Sequence, residues 1–144
     1  MKKIAIASDH GGVAYKEAIK KAYADQYEWL DLGTNSEDSV NYADFGHAMG
    51  RAITDGEAER GIVICGAGIG ISIAANRHKA LREALCTNDT MARLAREHND
   101  ANVLASGERI IDLDTALKCV ETFLNTEYEG GRHDARVAKL DVGV

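Results

Sequence analysis

Gly61-Ile62-Val63-Ile64-Cys65 carries no charged side chain on either face. A strand apolar on both sides must be covered on both, as in a parallel sheet held between helical layers. Lys3-Ile4-Ala5-Ile6-Ala7-Ser8 is a second short apolar run, and it breaks into a turn at Asp9-His10-Gly11-Gly12. Residues 28–33, 82–87 and 101–105 read as three more strands. Helical spacing separates them over residues 13–27, 43–55, 89–98 and 112–125, and a further helix begins near Ile71. In the first helix Ala14, Ala18 and Ala22 share one side, and Lys16, Lys20 and Lys21 the other. Residues 127–144 form a polar tail containing basic residues, with helical content near its end. Strands alternating with helices of this length build βαβ units. The expectation is an α/β fold: a three-layer Rossmann-like domain with a five-stranded parallel sheet and a C-terminal helical tail, one domain over residues 1–144.

Composition narrows the function. Hydrophobic residues at 45% and charged residues at 28% exclude a disordered chain. Seventeen Lys and Arg against 23 Asp and Glu give a net charge of −6, which argues against nucleic acid as a partner. An anionic ligand would need a local cluster of positive charge. The longest uncharged run, residues 61–76, carries four glycines and is too short to span a bilayer. No signal-peptide core precedes Asp9, so a cytoplasmic protein without membrane contact is expected. Cys65, Cys86 and Cys119 form no C-x-x-C pair, and the five histidines show no H-E-x-x-H spacing. Free thiols and no metal site follow. With no proline in the chain, its turns rest on Gly, Asn and Asp.

Ligands of such folds sit beyond the carboxyl ends of the strands. The loop Gly66-Ala67-Gly68-Ile69-Gly70 follows a strand and opens a helix, so its N–H groups can converge on a phosphate or a developing oxyanion. It matches neither the dinucleotide fingerprint nor a Walker loop, and a tight structural turn explains the glycines equally well. Cys65, at the mouth of the loop, reads as a thiolate general base or as a small core residue. Cys86, mid-strand, and Cys119, mid-helix, read as core. Asp9 and His10 can bind hydroxyls and share protons, and Asp9 also suits a helix N-cap. His98 is a candidate general acid, or simply a histidine favoured by a helix C-terminus. Arg132 and Arg136 lie four apart, one helical face if helical, which suits a phosphate monoester or a solvated surface.

Taken as a set, five segments resemble the type B ribose-5-phosphate isomerase family, which includes galactose- and allose-6-phosphate isomerases. They are Ser8-Asp9-His10-Gly11-Gly12, Asp31-Leu32-Gly33-Thr34, the run from Ile64-Cys65-Gly66 to Ala74-Ala75-Asn76, the run from Leu94-Ala95-Arg96 through His98-Asn99-Asp100 to Val103, and Tyr128-Glu129-Gly130-Gly131-Arg132-His133 with Arg136. The resemblance covers nearly the whole chain. It implies a cofactor-free aldose–ketose isomerase acting on a phosphorylated sugar, with ribose 5-phosphate and ribulose 5-phosphate as the leading pair. Cys65 matches the family's proton-abstracting base, and His98 its proton donor in ring opening. Asp9 and His10 match sugar-binding positions, Asp9 also assisting ring opening. The backbone of Gly66, Ala67, Gly68, Ile69 and Gly70 would stabilise the enediolate. Asn99 would touch substrate, and Arg109, Arg132 and Arg136 would hold its phosphate. The resemblance also implies a homodimer with shared active sites, alone or paired into a tetramer. Family members without this cysteine use a glutamate six positions later; Ile71 stands there, so Cys65 must carry the role.

Three departures stand out. Ala67 replaces the usual threonine or serine and removes a hydroxyl expected near the sugar. Asn41-Tyr42-Ala43 stands for Asp-Tyr-Pro, and Lys79 stands where a proline often follows. Ala67 motivates two alternatives: an isomerase of a six-carbon aldose phosphate or a rare aldose, and a non-catalytic sugar-phosphate binder.

Overall fold

A computed structural model of the chain describes residues 1–142. Five strands, β1 (Lys2–Ser8), β2 (Tyr27–Asp31), β3 (Arg60–Cys65), β4 (Glu83–Leu85) and β5 (Val103–Gly107), pair in parallel in the order β2-β1-β3-β5-β4. Six helices connect or follow them: α1 (Val13–Ala22), α2 (Tyr42–Thr54), α3 (Ile69–Ala75), α4 (Asp89–Asn99), α5 (Leu113–Asn125) and α6 (Asp134–Asp141). Two short 3-10 turns, His10–Gly12 and Gly131–His133, precede α1 and α6. The expected three-layer parallel α/β architecture is the observed one. No helix among the described residues is long and apolar enough to cross a membrane.

The two-residue period of the strands builds both faces. Ile4, Ile6, Ile62, Ile64 and Leu104 point to one side and pack with Ile19, Ala92, Ala95, Cys119, Val120 and Phe123, so α1, α4 and α5 cover that face. Ala5, Ala7, Val63, Cys65, Val103 and Ala105 point to the other, against Met49, Ile71 and Ala75 of α2 and α3. The chain leaves β1 towards β2 on one side and reaches β3 on the other. The strand order therefore reverses between the carboxyl ends of β1 and β3, where an open α/β sheet leaves a crevice.

Several local expectations need correction. α1 stops at Ala22 rather than Tyr27, because Tyr27 is already paired with Lys2 as β2 begins. The expected division of its faces fails at Lys16, though Lys21 is exposed as the spacing implies. Ala14 and Ala22 are exposed, whereas Lys16 is fully buried, with Nζ 2.7 and 2.8 Å from the Asp31 carboxylate oxygens and 2.8 Å from Asn35. A helix interior position filled by lysine is read as solvent-facing unless its partner, here on the next strand, is known. β4 spans three residues instead of six, so Cys86 lies just beyond the strand, though still buried. β5 runs two residues later than its apolar stretch suggests, which sets Gly107 beside Cys65.

Candidate active site

β3 delivers Cys65 to the carboxyl edge of the sheet, 5% exposed. Its Sγ accepts the Gly68 N–H at 3.1 Å. Gly68 caps α3 at φ +81°, a left-handed conformation that glycine adopts without penalty, and this folds the loop back over the sulfur. The start of the next loop grips the other side, since Glu108 N–H donates to Cys65 O at 3.0 Å and Arg109 N–H to Gly66 O at 2.9 Å. A Cβ built on Gly66 would meet Arg109 Nη1 at 3.5 Å, so that guanidinium lies against the glycine loop.

β1 brings the second part to the same edge. Asp9 is buried, and its Oδ1 accepts the Gly11 N–H at 2.9 Å, capping the 3-10 turn while its N–H donates to Ile64 O. Both readings of Asp9, cap and candidate ligand, are thus open to one side chain. His10 Nδ1 accepts the Val40 N–H at 3.1 Å, which assigns the proton of the neutral ring to Nε2. Tyr42 is a neighbour that sequence reasoning left out of the site. Its half-exposed ring crosses Gly70 so closely that a Cβ there would lie 2.2 Å from Cε1. The signal was Asn41, the N-cap whose side chain accepts the Ala43 N–H and starts α2 at Tyr42.

The other candidates lie elsewhere. α4 returns from the carboxyl edge, so His98 and Asn99, at its end, stand at the amino edge. There Asn102 O accepts the Gly61 N–H at the start of β3. That puts them about one strand length, roughly 16 Å, from Cys65. The tail docks at the same edge: Glu129 N–H donates to Glu97 O at 3.1 Å, and the His133 ring stacks on His98 with centroids 4.4 Å apart. Arg132 and Arg136, in the 3-10 turn and α6, are exposed beside them. His133 Nε2 is buried without a hydrogen-bond partner and 3.6 Å from Glu129. His98, Glu129 and His133 are the one trio among the described residues whose ligating atoms come close enough, within 4.8 Å, to share a metal ion.

The sheet therefore carries two separate sets. Asp9, His10, Cys65, the glycine loop and Arg109 occupy the carboxyl edge, and His98, Asn99, Arg132 and Arg136 the amino edge. His98 thus does not reach the cysteine loop of its own chain. The remaining cysteines sit in the core: burial pushes the Cys86 thiol up to about 12 and the Cys119 thiol up to about 11, so both stay protonated.

The family model for Ribose/Galactose Isomerase matches residues 4–140. Ribose-5-phosphate isomerase B of Escherichia coli (strain K12) is 42% identical over 97% of this chain and 95% of its own length. Ribose-5-phosphate isomerase B of Clostridium thermocellum superposes with a TM-score of 0.94 at 53% identity, covering 96% of this chain and 95% of that one. The enzyme of Mycoplasma genitalium, solved with bound ribulose-5-phosphate, superposes at 0.89 with 36% identity, covering 96% and 93%. With sequence and fold agreeing over nearly its whole length, this chain belongs to the ribose/galactose isomerase family.

Proposed function

We propose that this protein interconverts D-ribose 5-phosphate and D-ribulose 5-phosphate through an enediolate, in sites shared between two copies of the chain. The observation that carries the reading is the division of the candidate residues between opposite edges of one sheet. A base and an oxyanion cradle stand at one edge, and an imidazole and two arginines at the other. An isologous dimer unites the two sets twice, by two-fold symmetry.

In such a site the Cys65 thiolate takes the proton from C2 of the open-chain aldose. The C2–H electrons form the C1–C2 double bond, and the carbonyl oxygen becomes the enediolate oxyanion. N–H groups of the glycine loop face that charge as it develops. Return of the thiol proton to C1 and transfer of the O2 proton to O1 give the ketose and restore the thiolate. His98 of the partner subunit, with Asp9, opens the furanose ring by moving a proton between ring oxygen and hydroxyl. Arg109, with Arg132 and Arg136 of the partner subunit, holds the phosphate through charge-assisted hydrogen bonds, and Asn99 of the partner subunit contacts the sugar. Asp9 and His10 bind sugar hydroxyls. No cofactor or metal enters these steps.

Incubation with ribose 5-phosphate in heavy water, without added metal, tests the reading. Turnover with deuterium entering the sugar at the exchanging carbon supports it, and binding without exchange marks a sugar-phosphate binder. Ala67 is exposed on the loop and has no hydroxyl, which favours a second reading on a longer sugar. If allose 6-phosphate, galactose 6-phosphate or free allose exceeds ribose 5-phosphate tenfold in kcat/KM, about 1.4 kcal/mol, the pentose is the wrong substrate.

A further inference from the structure

Glu83, the first residue of β4, carries a carboxyl only 9% exposed that none of the steps above uses. Its Oε1 lies 3.0 Å from Ser72 Oγ and its Oε2 3.3 Å from Asn76 Nδ2, both on the α3 side. Asn76 also holds the Glu83 backbone, accepting its N–H at 2.9 Å and donating to its carbonyl at 3.0 Å. Ser72 Oγ is in turn 2.5 Å from Gly68 O. Gly68 is the residue whose N–H meets Cys65 Sγ. One hydroxyl and one glycine thus separate a buried acid from the candidate base.

A serine hydroxyl has a single proton to give, and two acceptors compete for this one. When Glu83 is neutral, its O–H donates to Ser72 Oγ, and Ser72 donates to the Gly68 carbonyl. When Glu83 is ionised it can only accept, so the Ser72 proton turns to the carboxylate and the Gly68 carbonyl loses its side-chain donor. Burial pushes the Glu83 carboxyl up to about 8, against the opposing pull of Ser72. The surroundings supply no cation to reverse this. α3 offers the uncharged Ser72 and Asn76, and β5 pairs it with Val103. Arg82 is engaged by Asp100 and Asp141, the Cys86 thiol is neutral, and among the described residues no salt bridge reaches Glu83.

We propose that Glu83 is a positioning residue whose neutral form turns Ser72 onto the Gly68 carbonyl and so keeps the glycine loop and Cys65 in their working arrangement. The proposal deepens the isomerase reading and rests on it. Glu83→Gln keeps the size and a donor towards Ser72 but cannot ionise. Ser72→Ala keeps the acid and removes the relay.

The test measures kcat for ribose 5-phosphate and, separately, the rate of iodoacetamide alkylation at the Cys65 peptide, each from pH 6 to 10. Wild-type kcat should fall about tenfold above pH 8 with little change in KM, while Glu83→Gln should hold its pH 7 value. The wild-type alkylation profile should carry a second inflection near pH 8 that is missing from both variants. Superimposable profiles of wild type and Glu83→Gln, with both folded by circular dichroism, overturn the proposal. If Glu83→Gln does not fold, retention of the inflection in Ser72→Ala overturns it. Absence of turnover at every pH in the wild type would instead refute the isomerase reading, and the alkylation profiles would still decide the role of Glu83.

Discussion

Gly107→Ala isolates how closely β5 must approach the glycine loop. Its φ is not in the left-handed region, so alanine meets no backbone penalty there, and the cost in the folded state comes from space alone. The added Cβ would lie 2.5 Å from both C and O of Ala67. Ordinary carbon contacts begin near 3.5 Å, so the loop or the strand must yield by about 1 Å. Yielding also stretches the bonds from Glu108 N–H to Cys65 O and from Arg109 N–H to Gly66 O, which tie the loop to β5. Strain of about 1–3 kcal/mol opposes a gain of about 0.4–1 kcal/mol from the stiffer unfolded chain, leaving a net destabilisation of about 1–2 kcal/mol. The catalytic effect should be larger, because misplacing a reacting group by about 1 Å lowers rates by roughly 10²-fold, or about 2.7 kcal/mol. Steady-state kinetics with ribose 5-phosphate beside a thermal melt separates the two. Gly56→Ala is the control: at φ +75°, with nothing within 4 Å of the new Cβ, it should lower stability and leave kcat/KM unchanged. A Gly107→Ala enzyme within threefold of wild-type kcat/KM would refute the idea that this approach holds the loop in its working position.

Cys65→Ser should lower kcat by roughly 10²–10⁴-fold with substrate affinity nearly unchanged, since a hydroxyl is a far weaker base than a thiolate; near-normal kcat would assign the proton transfer to another residue. Lys16→Met removes the buried partner of Asp31 and should cost about 3–5 kcal/mol, or roughly 10–16 °C in Tm for a chain of this length, read by calorimetry. Burial alone would raise the Asp31 carboxyl, but hydrogen bonds from Lys16, Lys20 and the Gly33 N–H outweigh it and hold the carboxyl below the ordinary range. The stability this supplies is therefore complete at neutral pH and is lost as pH falls through the folded value, an acid limb that Lys16→Met should flatten.

The alternation of strands and helices was legible because the central strands β1, β3 and β5 are buried on both faces, and a chain meets that demand with unbroken apolar runs such as residues 61–65. The boundaries followed pairing rather than propensity: β5 moved two residues on so that Val103 could face Gly61 and Gly107 could face Cys65. Lys16 and Glu83 were invisible as buried groups, because their partners, Asp31 and Ser72, come from other elements and appear only when those elements pack. The glycine loop and the Asp9-His10 turn were legible as neighbours at one edge of the sheet because each follows a strand directly. The place of His98 was not, since a helix C-terminus reads the same in sequence whichever edge of the sheet it reaches.

Mixed dimers test the shared site most directly. Cys65→Ala and Arg136→Ala should each be nearly inactive alone, and Arg136, being exposed, should not disturb folding. Refolded together in equal amounts, half of the dimers become hybrids, each with one doubly damaged and one intact site, so about a quarter of wild-type activity should return. Activity that stays at the level of the two parents would mean that Cys65 and Arg136 serve the same site from the same chain, contradicting the account.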